Sequence, residues 1–174
     1  MLNNIDFALR QFGKYVVQQS RANLSKGGKN STKSLYDSID YIKKVTPTGF
    51  SITFIMEQYG LFQDQGVRGA GGTRKTTSQF KRTNNKGKIW KQKGGNSPFS
   101  FKEGRKPSVK HFEAWSRSKG LSAFAVREAV FRQGIKPSLF FTKPFRQAFE
   151  NLPNQLIDAL GLDINDLLDF STKK

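Results

Sequence analysis

Apolar residues near the start of the chain recur at helical spacing. Over residues 3–24 they fall at positions i, i+4, i+7 and i+11, so one face of a helix carries Ile5, Leu9, Phe12 and Val16. Glycines and small polar residues at 25–32 interrupt the pattern. The spacing predicts an amphipathic helix that packs its apolar face on a core.

A β-hairpin is predicted next. Residues 35–42 have helical spacing, but 41–45 fit the end of that helix and the first strand of a hairpin equally well. Pro47-Thr48-Gly49 favours a turn, and Phe50–Met56 is rich in β-branched and aromatic residues. We therefore expect a small antiparallel sheet over residues 41–56.

Helical patterns return in the second half of the chain. Segments 108–120 and 122–134 each end on a glycine, as helices often do. Residues 143–170 are apolar at helical spacing, and we expect Pro153 and Gly161 to divide them. Helices from both ends of the chain should pack on the small sheet, so the predicted fold class is α+β.

Three phenylalanines lie close together before the last helical segment. Phe140, Phe141 and Phe145 are flanked by Pro137 and Pro144. Aromatic side chains bury large areas, and a small domain needs them inside. At least two of the three are expected in the core.

The positive charge is concentrated between residues 66 and 107. The chain of 174 residues has 30 Lys and Arg against 13 Asp and Glu, a net charge of +17. Segment 66–107 alone holds 12 Lys and Arg against one acid, Glu103, which makes +11. It has almost no apolar periodicity. We expect a single domain over 1–174, from which 66–107 projects as a long basic loop insertion.

This basic segment is the candidate interaction site. A charge this large indicates an acidic or polyanionic partner. The loop could enter an acidic groove of a neighbouring protein subunit, which is the preferred interpretation. It could instead bind DNA, because Phe80, Trp90, Phe99 and Phe101 alternate with the cations in the mixture used to stack bases and neutralise phosphates. The candidate subunit or DNA contacts are Arg68, Arg74, Lys75, Lys81, Arg82, Lys86, Lys88, Trp90, Lys91, Lys93, Arg105 and Lys106.

The residue types for catalysis and metal binding are scarce. The chain has no cysteine and one histidine, His111, which excludes a thiolate nucleophile and a His-rich zinc site within one chain. Segment 69–76, GAGGTRKT, resembles a P-loop, but an arginine replaces its second glycine. Asp163, Asp166 and Asp169 have the spacing of the solvated face of an amphipathic helix. We expect no enzyme activity, no cofactor and no bound metal.

Membrane segments are not predicted either. The first residues lack the apolar run of a secretory signal. No stretch approaches the ~18 apolar residues of a membrane helix. The expected protein is soluble and has no membrane partner.

Three segments in order resemble a known family. They are LYDSI (35–39) before the predicted hairpin, YGLFQDQGVRG (59–69) after it, and GIKPSLFFTKPF (134–145) before the terminal helix. The arrangement resembles the small tail-completion, or head–tail connector, proteins of tailed double-stranded DNA bacteriophages. The basic insertion at 66–107 departs from the compact pattern of that family, so the resemblance implies no role for it.

The resemblance implies a structural virion protein that forms a ring, a hexamer or a dodecamer, at the head–tail junction. Its partners would be the portal or connector and tail proteins. A contact between the basic loop and genomic DNA is left open. Such a protein assembles in the host bacterial cytoplasm and ends in the neck of the virion. The alternative is a basic nucleic-acid-binding module of the ribosomal or nucleoid type.

Overall fold

The computed structural model describes residues 2–27, 33–71, 73–74, 88–89, 91–102 and 104–172. For 73–74, 88–89 and 167–172 it describes the backbone. The chain forms two compact units, one of Met1–Glu57 with Phe140–Lys174 and one of Gln58–Leu139. We call them the hairpin unit and the basic unit. That 1–174 is a single domain with a loop insertion at 66–107 stays a prediction.

The fold class is α+β, as predicted. The strands among the described residues pair in two-stranded antiparallel sheets, β1 with β2, β3 with β6 and β4 with β5. In chain order the elements are α1 (Asn3–Lys26), α2 (Ser34–Ser38), β1 (Asp40–Thr46), β2 (Gly49–Ile55), α3 (Tyr59–Gln65), β3 (Val67–Arg68), β4 (Thr73–Arg74), β5 (Lys88–Ile89), α4 (Lys110–Ser118), α5 (Ala123–Gln133), β6 (Gly134–Ile135), α6 (Thr142–Phe149) and α7 (Leu152–Thr172).

The long helix α1 is the centre of the hairpin unit. Its predicted apolar face is buried, with Ile5, Leu9, Phe12 and Val16 each at most 5% exposed. This face packs against the hairpin, α6 and α7. The predicted amphipathic helix and its buried face are therefore confirmed.

The hairpin lies on α1. Residues 41–45 form a strand, which resolves their ambiguity, and the register pairs Asp40 with Ile55 and Thr46 with Gly49 across the turn. Alternate residues of β1 and β2 are partly buried, as expected of a hairpin with one covered face. Lys43 from the covered face ion-pairs with Asp6 in the first turn of α1. The predicted small antiparallel sheet is confirmed.

An aromatic cluster joins the hairpin to α6. The ring of Phe54 packs edge-on against Phe12, Phe141 and Phe145, with centroids 5.3–5.9 Å apart. Phe140 is only 1% exposed, while Phe141 and Phe145 are half-buried and pack against the core. The predicted core position of this phenylalanine group is confirmed.

The C-terminal segment divides once. α6 ends at Phe149 and α7 begins at Leu152, so Pro153 lies in the first turn of α7, where its missing N–H costs no hydrogen bond. The break predicted at Gly161 is wrong, since α7 continues through it. Leu152, Leu156 and Ala159 pack the helix against α1. This burial outweighs the cost of about 1 kcal/mol that one glycine adds to a helix.

The basic unit contains both helices predicted between residues 108 and 134. α4 and α5 lie against each other, and Gly120 and Gly134 follow them with positive φ angles of 63° and 83°. Strand β3, inside the segment predicted as a loop, was not expected. It pairs with β6, so that Arg68 lies opposite Gly134.

The core of the basic unit is small. Among its described residues, the buried apolar side chains are Val67 and Phe131. Phe101 packs against Phe131 with ring centroids 5.9 Å apart. With so few buried apolar groups, the described part of this unit gains little hydrophobic stabilisation.

Candidate assembly interface

Most of the charge lies in the basic unit. Residues 58–139 contain 18 Lys and Arg and four Asp and Glu, a net charge of +14 out of +17. The hairpin unit carries the remaining +3. Within it, α7 has four Asp and no Lys or Arg, a net charge of −4. One chain therefore presents a strongly cationic unit and an anionic helix.

Five predicted contact residues have described side chains. Arg68 lies in β3, Lys91 and Lys93 lie in the irregular segment that follows β5, and Arg105 and Lys106 precede α4; all five are exposed. The backbone of two more is described in paired strands, Arg74 in β4 and Lys88 in β5. The remaining five lie outside the described residues: Lys75, Lys81, Arg82, Lys86 and Trp90.

Backbone hydrogen bonds bring the segments of Arg68 and Lys93 together. The N–H of Arg68 donates to the carbonyl of Phe99 at 2.8 Å. The N–H of Lys93 donates to the carbonyl of Gln133 at 2.7 Å. The next residue, Gly134, is the strand partner of Arg68. Residues 91–101, placed in the predicted loop, are thus anchored to β3 and to the end of α5.

Lys106 is a predicted contact whose charge is already paired. Its ammonium donates to the Glu128 carboxylate at 2.6 Å, and Arg132 donates to the same carboxylate at 3.0 Å. The hydrogen bond from Lys106, aided by Arg132 and opposed by burial, holds the pKa of Glu128 below its usual range. Both cations also lie over the Phe131 ring, 5.7 and 5.3 Å from its centroid. Lys106 therefore supports the packing of α5.

Four other predicted cations have no ion-pair partner within the part of the chain that the structure describes. They are Arg68, Lys91, Lys93 and Arg105. Exposed and unpaired, they give the basic unit a surface that attracts anionic groups.

The described aromatic residues of the basic segment are half-buried and contact other aromatic rings of the same unit. The half-buried Phe99 ring packs edge-on against Phe62 with centroids 4.8 Å apart, and Phe101 packs against Phe131. Their role in stacking bases stays a prediction. Phe80, like Trp90, lies outside the described residues.

The described residues of the P-loop-like segment, 69–71 and 73–74, do not offer a phosphate cradle. The N–H groups of Gly69, Ala70 and Gly71 donate to the Gln92 side chain and to two carbonyl groups at the end of α5, at 2.8–3.0 Å. A phosphate would need such N–H groups free. Strand β4 begins at Thr73, where a P-loop would lead into a helix.

Asp163 lies in a different environment from the one predicted. Its carboxylate is 4% exposed and accepts hydrogen bonds from the backbone N–H groups of Asn4 at 2.9 Å and Ile5 at 3.1 Å, and from the Asn4 amide at 2.9 Å. Burial raises the pKa of Asp163, but these hydrogen bonds together lower it by more, so the pKa lies below its ordinary value. The solvated-face prediction is wrong for Asp163 because this residue caps α1.

Of the other candidates for chemistry, Asp166 accepts a hydrogen bond of 3.5 Å from the Asn4 amide. Asp166 and His111 are exposed, and the side chain of Asp169 lies outside the described residues. Within the described ranges, no group of three His, Asp or Glu side chains is placed to hold a metal ion.

An apolar groove in the basic unit was not predicted. Its volume is about 300 Å³, and Lys93 and Gln133 add polar groups to an otherwise apolar lining. The signal in the sequence was the alanine–valine face of α5 at i, i+1, i+4 and i+5. The apolar lining consists of Trp115, Leu121, Ala125, Val126, Ala129 and Val130.

α7 carries a second apolar face that the structure leaves exposed. Ile157, Leu160 and Ile164, at i, i+3 and i+7, are 68%, 42% and 48% exposed. They lie about 100° around the helix from the face that packs on α1. We call these three residues the outer stripe of α7.

No protein-family model, curated protein or solved structure matches this chain. Across the described residues, no helix is both long enough and apolar enough to span a membrane.

Proposed function

We propose that the chain is a structural virion protein that forms a homo-oligomeric ring, a hexamer or a dodecamer, at the head–tail junction of a tailed double-stranded DNA bacteriophage. The ring joins the portal or connector to tail proteins and has no enzyme activity and no cofactor. It assembles in the host bacterial cytoplasm and ends in the neck of the virion. The neck position rests on the resemblance of segments 35–39, 59–69 and 134–145 to tail-completion proteins.

The observation that carries the ring is the division of charge and apolar surface along one chain. The basic unit has a net charge of +14 and an apolar groove, whereas α7 has a net charge of −4 and an exposed apolar stripe. Two different complementary surfaces favour head-to-tail contacts between copies. Such contacts generate a ring when the rotation between neighbours closes.

The small core of the basic unit supports the same proposal. Val67 and Phe131 are its buried apolar side chains among the described residues. Burial of further apolar surface between copies would add stabilisation to the small core of these described residues.

Light scattering after size-exclusion chromatography, with negative-stain electron microscopy of the same fraction, tests the ring. We expect a closed ring of six or 12 copies that grows in population with protein concentration. A chain that stays monomeric up to high concentration, or that stops at a two-fold symmetric dimer, would contradict the proposal.

The neck position needs a separate measurement on the native particle. Gold-labelled antibodies against the purified chain should bind at the junction of head and tail in electron micrographs. Label along the capsid or the distal tail, or virions without label, would overturn the position while leaving the ring intact.

A basic nucleic-acid-binding module is the second candidate. It is favoured by four exposed cations without an ion-pair partner among the described residues, Arg68, Lys91, Lys93 and Arg105. Such a module would be monomeric in the absence of nucleic acid, and its affinity would fall steeply with salt. The oligomeric state without DNA therefore separates the two candidates.

A further inference from the structure

We infer that α7 of one copy docks into the groove between α4 and α5 of another copy, with its outer stripe against the alanine–valine face of α5. This contact rests on the proposed head-to-tail association and names its two surfaces. It is a helix-in-groove contact, in which apolar residues at i, i+3 and i+7 anchor an amphipathic helix.

The outer stripe is one half of the contact. A helix that packs on one side of a small unit normally has one apolar face. α7 has a second one, because Leu152, Leu156 and Ala159 cover α1 while Ile157, Leu160 and Ile164 remain exposed. Leu162, 55% exposed, stands singly on the opposite flank of the helix. Contiguous exposed apolar residues on a helix mark an interaction surface.

Gly161 is the second feature of this face. In the described part of the chain, no heavy atom lies within 4 Å of a Cβ built at Gly161. The packing of the chain itself therefore gives no reason for a helical glycine, which forfeits about 1 kcal/mol of helix propensity. Gly161 lies four residues after Ile157 and three before Ile164, so it borders the stripe. Because glycine has no side chain, another backbone could approach the stripe closely there.

The groove has the matching shape and chemistry. Ala125 and Ala129, one turn apart, leave space above α5, while Trp115 and Leu121 contribute larger apolar groups to its lining. Its volume of about 300 Å³ is at the lower end for binding sites, which fits side chains of a helix better than a bulky ligand.

Charge selects the occupant. The groove belongs to a unit of net charge +14, and α7 carries −4, so the two attract each other at long range. Two α7 helices would repel each other for the same reason. Asp158 and Asp166 lie on the flank of α7 away from the stripe, so they steer the approach without being buried in the apolar groove.

Thiol cross-linking tests the contact directly, because the chain contains no cysteine. We would prepare Leu160→Cys in the outer stripe and Ala129→Cys in the groove as separate full-length proteins. They would be mixed and treated with a short bis-maleimide. We expect a cross-linked dimer in the mixture and none in either protein alone.

A matched control uses the same helix. Asn165→Cys lies on the exposed polar side of α7 and should not cross-link to Ala129→Cys. Circular dichroism of each variant, compared with the wild type, verifies that the single replacements leave the fold intact.

Each other result has a distinct meaning. Cross-linking within Leu160→Cys alone would indicate contact between two α7 helices and overturn the inference. Equal cross-linking by Asn165→Cys would show an unspecific encounter and overturn it as well. Oligomers by light scattering without a cross-link in the mixture would overturn the contact and leave the ring proposal standing. A monomer without a cross-link would overturn both.

Discussion

Asp163 shows how one side chain joins the two ends of the hairpin unit. The residue before α1, Leu2, supplies no side-chain cap, so the first N–H groups of the helix need another acceptor. The Asp163 carboxylate accepts hydrogen bonds from the backbone N–H groups of Asn4 and Ile5. Its negative charge also interacts favourably with the positive end of the helix dipole. A cap contributed from 158 or 159 positions away leaves no local signal, which is why spacing suggested a solvated residue.

Replacing Asp163 should therefore destabilise the chain. We expect Asp163→Ala to lower the free energy of unfolding by about 1–2 kcal/mol near neutral pH, the usual effect of a lost cap. Asp163→Asn, which keeps one oxygen acceptor, should cost less. Urea unfolding followed by circular dichroism measures both. Asp158→Asn, at an exposed position of the same helix, is the control and should change stability by less than about 0.5 kcal/mol.

The same effect should depend on pH in a defined direction. The pKa of Asp163 is lowered in the folded state, because its hydrogen bonds outweigh burial. Folding therefore favours the ionised carboxylate. The stability it adds is fully present above the unfolded pKa of about 3.9 and is lost as pH falls through the folded pKa. The gap between wild type and Asp163→Asn should close in that acidic range. A gap that widens on acidification would contradict the assignment.

Among the elements, α1 and the hairpin were the most predictable. Ile5, Leu9, Phe12 and Val16 carry a strong 3.6-residue period, and the turn at 47–49 separates two short strands. Gly161 was misjudged, because local propensity cannot include the packing of Leu156 and Ala159 on α1. Strand β3 has two residues, which are too few to show a period, and its partners in β6 lie 66 and 68 positions away.

The glycines within α1 and α7 should respond oppositely to alanine. A Cβ at Gly13 would lie 2.5 Å from the Tyr41 ring, whereas the surroundings of Gly161 in the described chain are open. At concentrations where the chain is monomeric, Gly161→Ala should raise the free energy of unfolding by about 0.5–1 kcal/mol. Gly13→Ala should lower it, because the ring or the hairpin must move.

Thermal unfolding of both glycine variants beside the wild type measures this difference. Because both replacements add one methyl group to a helix interior, each serves as the control for the other. Stabilisation by Gly13→Ala would show that the contact between α1 and the hairpin is looser than described.

The aromatic segment before α6 gives a second matched pair. Phe140 is 1% exposed and packs with Val17 and Leu24, while Phe7 on α1 is 60% exposed. Phe140→Ala should destabilise the chain by about 3–5 kcal/mol and Phe7→Ala by far less. Chemical denaturation of the monomer compares them. If Phe140→Ala unfolds like the wild type, the segment is an assembly contact and its core position is wrong.

The whole molecule was less predictable than its elements. The net positive charge indicated an anionic partner, and most of this charge lies in the basic unit. The groove depends on how α4 and α5 meet, and the exposure of the outer stripe depends on which face of α7 covers α1. Neither fact is contained in the period of a single helix. Charge and periodicity can therefore predict that surfaces exist, and tertiary packing decides which ones remain exposed.

Salt should separate assembly from nucleic-acid binding at this scale. A chain of +17 will bind DNA at low salt by releasing counterions, with a slope of roughly −0.9 in log affinity against log salt for each phosphate neutralised. The apolar contact between the outer stripe and the groove involves no counterion release. Raising KCl from about 0.1 to 1 M shortens the screening length from about 10 to 3 Å. It should therefore abolish DNA binding while the oligomer persists.

The rate of assembly should fall over the same range, because the attraction between α7 and the basic unit steers the encounter and is screened by salt. Fluorescence anisotropy with a labelled duplex gives the DNA affinity, and light scattering gives the oligomer population and its rate of formation. Leu160→Glu should remove the oligomer at every salt concentration and leave the slope for DNA unchanged, with Asn165→Glu as the control of equal charge. An oligomer that dissolves with the same salt dependence as the DNA complex would mean that cations, and not the stripe, hold the copies together.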